Sequence, residues 1–259
     1  MTTPTPRPLS LDGRTVLITG GNGGIGLGMA RAVGAAGARV VVWGRDEAKN
    51  NEAQRDLAER GVEAIAQQVD VDDQAAIVEG FEAAVTWAGG RIDSVFANAG
   101  RGGSGAGILD VTMDEWHAVL RTNLDGVFIT LQTAARHMAE MGGGALVAIS
   151  STSAIHGAPN SAAYAASKTA LLGLVRAMAV GLAKQKIRVN SLLPGWTLTD
   201  MARGGYENER FRDATLRRTP VRRWADPDEM GAAAVFLADP TVTFHTGDSL
   251  VVDGGYTIF

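Results

Sequence analysis

Tyr164 and Lys168 stand four positions apart in Ala163-Tyr164-Ala165-Ala166-Ser167-Lys168. The segment that follows, 169–182, is rich in Ala, Leu and Val and reads as helix. On a helix, positions i and i+4 share a face, so a phenol and an ammonium would point the same way. A phenol with its ordinary pKa of about 10 is a poor proton carrier at neutral pH. Bringing it to about 7 takes roughly 4 kcal/mol. One cation about 4 Å away, at an effective dielectric near 20, supplies roughly that. The spacing therefore predicts an activated phenol that exchanges a proton with a ligand. Many solvated helices carry Tyr and Lys one turn apart, so the rest of the chain must say whether a ligand is there.

The elements that would position the pair follow a repeating pattern. Short β-branched runs at Thr15–Thr19, 40–43, 62–69, Ser94–Ala97, 145–149, 187–193 and Ser249–Val252 read as strands. Helical segments separate them at 25–36, 46–60, 73–87, 112–141, the Tyr164 segment and 227–238. Gly61 falls where a C-cap belongs, and Thr112 with Glu115 makes a capping-box pattern. Strands separated by helices imply right-handed crossovers and a parallel sheet. The predicted fold is α/β: a single-domain doubly wound parallel β-sheet (Rossmann fold) of about seven strands. It would fill 11–259 behind a short disordered lead at 1–10. The polar, Arg-rich stretch 197–223 has poor periodicity and lies beyond a strand's C-terminal end, where a substrate lid would sit.

Between the first strand and first helix lies Thr19-Gly20-Gly21-Asn22-Gly23-Gly24-Ile25-Gly26. Glycines there permit a tight turn and let a pyrophosphate approach backbone N–H groups at a helix N-terminus. The stretch fits both Gly21-x-Gly23-x-x-Gly26 and Gly20-x3-Gly24-x-Gly26, and spacing alone does not separate them. At the end of the second strand an acid would hold a ribose 2′-hydroxyl, but the chain has Gly44 and then Arg45. A guanidinium suits a 2′-phosphate, which favours NADP(H) and leaves NAD(H) as the second choice. Asp46 next door could offset Arg45.

Four further features fall in order with Tyr164 and Lys168: Gly20-x3-Gly24-Ile25-Gly26; Asn98-Ala99-Gly100 after the fourth strand; Ser151, thirteen residues before Tyr164; and Pro194-Gly195 after the sixth strand. In this order and spacing the chain resembles the short-chain dehydrogenase/reductase family, in its Tyr-x3-Lys branch, from about Leu11 to Asp253-Gly254-Gly255. The resemblance sets the glycine register at 20, 24 and 26. It implies that Tyr164 is the acid/base, Lys168 its activator and Ser151 the hydroxyl that polarises the substrate oxygen, with Ser150 and Ser153 as rivals for that place. Asn123 matches a fourth catalytic position, which holds a water between Lys168 and solvent. Gly20, Asn22, Gly24, Ile25, Gly26 and Arg45 match the phosphate and ribose contacts, Asp70 and Val71 the adenine pocket, and Asn98 and Gly100 the ribose region. Tyr164 and Lys168 also reach the cofactor, as do Pro194, Gly195, Thr197 and Thr199. The family often has a second asparagine where this chain has Ala97.

The remaining composition narrows the function classes. Net charge is −4 and pI near 5.6, which argues against a nucleic-acid surface. There are no cysteines, hence no disulfides and no thiolate chemistry. His117, His137, His156 and His245 show no metal-ligand spacing, so no metal is expected. No apolar run reaches the roughly 18 residues of a membrane span. The expectation is a cytoplasmic oxidoreductase acting on a small carbonyl or secondary alcohol, a homotetramer or homodimer by family resemblance. Ser151, His156, Tyr164 and Trp196 would face the substrate, with Ala158, Asn160, Met201 and Tyr206 nearby. A 3-oxoacyl thioester, a sugar or polyol, and a cyclic ketone all stay open. Enoyl reductases of this family space Tyr and Lys further apart. The reading from another class is a catalytically silent NAD(P)-binding regulator.

Overall fold

The computed structural model describes residues 9–259. Seven strands form: β1 (Thr15–Thr19), β2 (Arg39–Gly44), β3 (Ala64–Gln68), β4 (Ser94–Ala97), β5 (Gly144–Ile149), β6 (Ile187–Pro194) and β7 (Ser249–Val252). All pair in parallel, in the order β3-β2-β1-β4-β5-β6-β7. The order reverses between β1 and β4, and ligands of open α/β sheets bind in the crevice at such a switch point. Because every strand is parallel, every C-terminal end reaches the same edge. The segments starting at Gly20, Arg45, Asn98, Ser150 and Gly195 therefore leave the sheet side by side.

Both faces of the sheet are covered, as a parallel sheet requires. Successive side chains of a strand point to opposite faces. Leu17, Val41, Val95, Leu146 and Val189 join one core with Ile77, Phe81, Leu131 and Met138. Val16, Ile18, Val40, Val42, Phe96 and Val147 join the other with Met29, Val33, Leu57 and Leu237. The helices are α1 (Gly24–Ala35), α2 (Glu47–Glu59), α3 (Gln74–Trp87), α4 (Met113–Leu120), α5 (Gly126–Glu140), α6 (Ala162–Leu182), α7 (Arg203–Glu207), α8 (Glu209–Arg218) and α9 (Gly231–Ala238), of which α1, α2, α3, α5 and α9 carry the core residues just named.

Four sequence expectations change. The expected helix at 112–141 is interrupted: a π turn, Arg121–Asp125, separates α4 from α5. The stretch 197–223 is substantially helical rather than irregular. Asn208 caps α8 by accepting from Phe211 N, and Arg217 and Arg218 close its last turn, where they complement the helix dipole. Residues Met1 to Pro8 of the predicted lead lie outside the described residues, while Ser10 N donates to Asp239 Oδ2 at 2.9 Å. Finally, Ala162–Gln185 has a mean hydropathy of 1.3 over its most apolar window, long and apolar enough to cross a membrane by length and composition. That apolarity comes from Ala and Gly as much as Leu. The helix buries Ala163, Ser167, Lys168, Leu171, Val175 and Ala179, and its Leu171, Val175 and Ala179 enter the first core.

Candidate active site

Helix α6 sets Tyr164 and Lys168 beneath the ends of β4 and β5. The ammonium Nζ lies 5.6 Å from the Tyr164 ring centroid and donates to Ile149 O at 2.8 Å. A Cβ built on Gly100 would meet Lys168 Nζ at 3.5 Å and Asn123 Oδ1 at 3.3 Å, so the Asn98-Ala99-Gly100 segment and the π turn close around the amine. Lys168 is buried, and burial lowers its pKa from 10.5 to about 8. Tyr164 departs from the sequence expectation. Burial pushes its phenol above the ordinary value, and the polar Ser151 side chain nearby only partly offsets this. A low-dielectric site disfavours the charged phenolate.

The three candidate serines have different partners. Ser150 Oγ donates to Lys168 O at 2.7 Å, which spends it on anchoring α6. Ser151 is the one that reaches Tyr164, and its Oγ accepts from Ser153 N at 3.1 Å. Ser153 contributes its backbone to that contact.

The side chain of Asn123 is taken up by protein partners. Its Oδ1 accepts from Arg101 N at 2.8 Å; its Nδ2 donates to Arg101 O at 2.9 Å and to Ser167 Oγ at 3.2 Å. Ser167 Oγ in turn donates to Tyr164 O at 2.7 Å. The side chain is fully engaged as a clamp between the loop after β4 and helix α6, so any water-holding role falls to its backbone.

The glycine loop resolves its own register. Gly20 and Gly24 have positive φ, 62° and 48°, which L side chains rarely adopt. A Cβ on Gly26 would sit 2.1 Å from Gly20 O. The loop thus needs glycine at 20, 24 and 26. Asn98 holds it from beneath: Nδ2 donates to Thr19 O at 2.9 Å and Gly20 O at 3.1 Å, while Thr19 Oγ1 accepts from Asn98 N and Ala99 N. A Cβ on Gly24 would meet the Thr199 methyl at 3.2 Å, so the loop and the segment after β6 face each other. Ile25 opens α1 just inside this loop. Thr199 Oγ1 caps the 3-10 turn Asp200–Ala202, and Thr197 Oγ1 donates to Gly195 O at 3.0 Å. Pro194 ends β6. These residues build a cradle that a side chain would fill, as a dinucleotide-binding loop requires.

At the far end, Arg45 Nη1 lies 4.0 Å from Asp70 Oδ2, and both are largely exposed. Asp46 does not offset Arg45; its carboxylate accepts from Lys49 N and caps α2. Val71 is buried beside Asp70.

The substrate side is aromatic. Trp196 stacks on Trp224 at 5.0 Å and meets Phe211 edge-on at 5.1 Å. His156 meets Tyr256 at 5.2 Å, and the Arg218 guanidinium lies 4.3 Å over the Tyr256 ring. Buried His156 Nε2 and Trp196 Nε1 have no protein partner. Met201 and Tyr206 are exposed, with Tyr206 edge-on to Trp224 at 5.1 Å. Sequence reasoning missed Tyr256, Trp224 and Phe211. A signal existed for Tyr256, because it follows β7 and parallel pairing brings that strand's C-terminal end to the same edge. Among the described residues no group of three His, Asp or Glu could hold a metal ion.

Comparison with known proteins agrees with this geometry. Residues 20–257 match a family model described as "Enoyl-(Acyl carrier protein) reductase". Gluconate 5-dehydrogenase of Gluconobacter oxydans is 35% identical over 253 residues, covering 98% of each chain. A sorbose reductase of Schizosaccharomyces pombe is 38% identical over 250 residues, covering 95% of this chain and 97% of that one. Among solved structures, a gluconate 5-dehydrogenase from Burkholderia cenocepacia in complex with NADP and tartrate superposes with a TM-score of 0.90 at 38% identity, covering 97% of this chain and 98% of that one. The chain belongs to the short-chain dehydrogenase/reductase family and is an oxidoreductase acting on CH–OH groups.

Proposed function

We propose that the chain interconverts a ketone and a secondary alcohol on a hydroxyl-rich small molecule (a sugar, polyol or sugar acid), with NADP(H) as hydride carrier. The observation that carries this reading is the meeting of Ser151, Tyr164 and Lys168 at the sheet edge, beside a glycine cradle. Gly20, Asn22, Gly24, Ile25 and Gly26 hold the pyrophosphate at the N-terminus of α1. Arg45 takes the 2′-phosphate, Asp70 and Val71 border the adenine, and Asn98 and Gly100 border the ribose. Tyr164 and Lys168 lie at the nicotinamide end, where Pro194, Gly195, Thr197 and Thr199 border the ring. The bound cofactor supplies the hydride.

The chain supplies the proton and its orientation. In the reducing direction the Tyr164 hydroxyl gives its proton to the carbonyl oxygen. Ser151 donates a hydrogen bond to the negative charge growing there, a contact strongest in the transition state. Charged Lys168 favours the tyrosinate left behind. A phenol that burial keeps protonated is suited to this direction. Residues 197–223 act as the lid that excludes water.

Similarity to a gluconate 5-dehydrogenase, a sorbose reductase and a solved gluconate 5-dehydrogenase in complex with NADP and tartrate supports a hydroxylated substrate. The test is reduction of 5-ketogluconate, sorbose, a 3-oxoacyl thioester and a cyclic ketone with NADPH and NADH, followed at the nicotinamide absorbance. Faster turnover of the thioester than of every sugar would overturn the substrate class. Binding of NADPH with turnover of nothing would point to the silent regulator. We also propose a cytoplasmic homotetramer. Gly173, Ala177, Val180 and Gly181 leave an exposed face of small residues on α6 suited to close helix packing.

A further inference from the structure

Asn50 lies on α2, is 3% exposed, and has no part in the chemistry above. Its Nδ2 donates to two backbone carbonyls, Gly44 O at 3.0 Å and Gln67 O at 3.2 Å. It thereby ties together the ends of β2 and β3. Both amide hydrogens are spent, so its Oδ1 must face the other way, where it accepts from Asn22 Nδ2 at 2.8 Å. The two carbonyls thus fix the amide of Asn50, and Asn50 fixes the amide of Asn22. Asn22 Oδ1 is left with no protein partner among the described residues, ready to accept from a sugar hydroxyl.

The same pair fills the space beside Gly44. A Cβ there would lie 2.0 Å from Asn22 Nδ2 and 2.4 Å from Asn50 Oδ1. Gly44 is not among the glycines with positive φ, so crowding and not backbone strain demands glycine. Asn22 is half-exposed and could swing away; Asn50 is buried and held by two strands. Position 44 is where an acid would hold a ribose 2′-hydroxyl.

We propose that Asn50 is a positioning residue for cofactor choice. It shuts the slot at position 44 against an acidic side chain and orients Asn22, so that the end of β2 is left to Arg45 and a phosphorylated ribose. This is selectivity by exclusion as well as by attraction. The inference rests on the NADP(H) reading. It goes beyond that reading because it makes the absence of an acid at 44 a consequence of a buried residue on another element.

Calorimetric titration of the full chain with NADPH and with NADH tests it. The variants are Asn50→Ser, Gly44→Asp, the double Gly44→Asp/Asn50→Ser, and Gly44→Asp/Asn22→Ala. Gly44→Asp alone is expected to weaken NADPH without gaining NADH affinity, because its carboxylate has no room. The double variant with Asn50→Ser is expected to bind NADH roughly tenfold more tightly than Gly44→Asp does. Asn50→Ser alone is expected to narrow the NADPH:NADH ratio while kcat at saturating NADPH stays within about twofold, a split that simple destabilisation would not produce. If Asn50→Ser loses its cooperative unfolding transition, the Asn22→Ala double removes the other half of the block and is expected to show a smaller NADH gain over Gly44→Asp, because the Asn22 contact to the cofactor is lost with it. Gly44→Asp alone gaining NADH affinity as fully as the doubles would overturn the proposal. So would doubles that gain none. Wild-type protein preferring NADH would instead overturn the cofactor reading, and the comparison of single with double variants would still judge Asn50.

Discussion

At the scale of the residue, Tyr164 and Lys168 form a proton site whose resting state differs from the one their spacing suggested. Burial raises the phenol and lowers the ammonium, so both groups are drawn towards neutrality. A protonated phenol serves reduction, whereas alcohol oxidation needs the phenolate. Ketone reduction is therefore expected to fall as pH rises through about 8, where Lys168 loses the charge that favours the tyrosinate formed, while alcohol oxidation, which needs the phenolate that burial disfavours, rises only at higher pH. Profiles of kcat/KM in both directions between about pH 6 and about pH 10 check this, and parallel profiles would contradict it. Tyr164→Phe is expected to lower kcat by roughly 10²–10⁴ with NADPH affinity within a few-fold, read by kinetics and calorimetry. A variant keeping more than about a tenth of kcat would remove Tyr164 from the acid/base role.

Lys168 also makes a prediction about stability. Its folded pKa of about 8 lies below its unfolded value of 10.5. Below pH 8 both states carry the proton, and the folded state bears the full cost of a buried charge. Between about 8 and about 10.5 the unfolded chain binds more protons, so stability rises with pH. Denaturant unfolding of the wild type and Lys168→Met should show their difference moving by about 2 kcal/mol in favour of the wild type from about pH 7 to about pH 9.5.

At the scale of the element, the glycine loop is the least tolerant part of the site. Gly26→Ala would drive a Cβ to within 2.1 Å of a backbone oxygen that Asn98 also holds. The expected result is loss of NADPH binding by at least about tenfold, read by calorimetry, with the sheet intact by circular dichroism. Much of this element order was legible in the sequence. Strand runs such as Thr15–Thr19 and the three valines 40–42 of β2 are continuous and β-branched, because a parallel sheet buries both faces. The Ser151 offset to Tyr164 and the glycine loop were legible because each is local in sequence. What was illegible depends on contacts far apart in the chain. The clamp from Asn123 to Arg101 spans 22 residues and that from Asn50 to Asn22 spans 28. The helices of 197–223 were hidden by low hydropathy: α8 buries only Thr215 and is held by its cap and by Trp224, whose Nε1 donates to Thr215 Oγ1 at 2.9 Å.

At the scale of the whole molecule, α6 carries the catalytic pair on one side and presents small residues outward on the other. A Cβ at Gly173 meets nothing within 4 Å in the single chain. Gly173→Glu is therefore expected to leave the monomer fold unchanged but to lower the assembled mass measured by light scattering; an unchanged mass would place the interface elsewhere. The π turn at Arg121–Asp125 has a larger consequence. A π turn holds one residue more than a regular helix needs, and each residue turns an α-helix by about 100°. Because that surplus is absorbed in one widened turn, the residues after it keep their faces, and Leu131, Ala134 and Met138 stay in the core. The surplus therefore acts on the site and not on the scaffold: Asn123 is buried within the turn and reaches Arg101 and Ser167 from it. A single deletion there would straighten the helix without moving its core stripe, and would release the loop after β4.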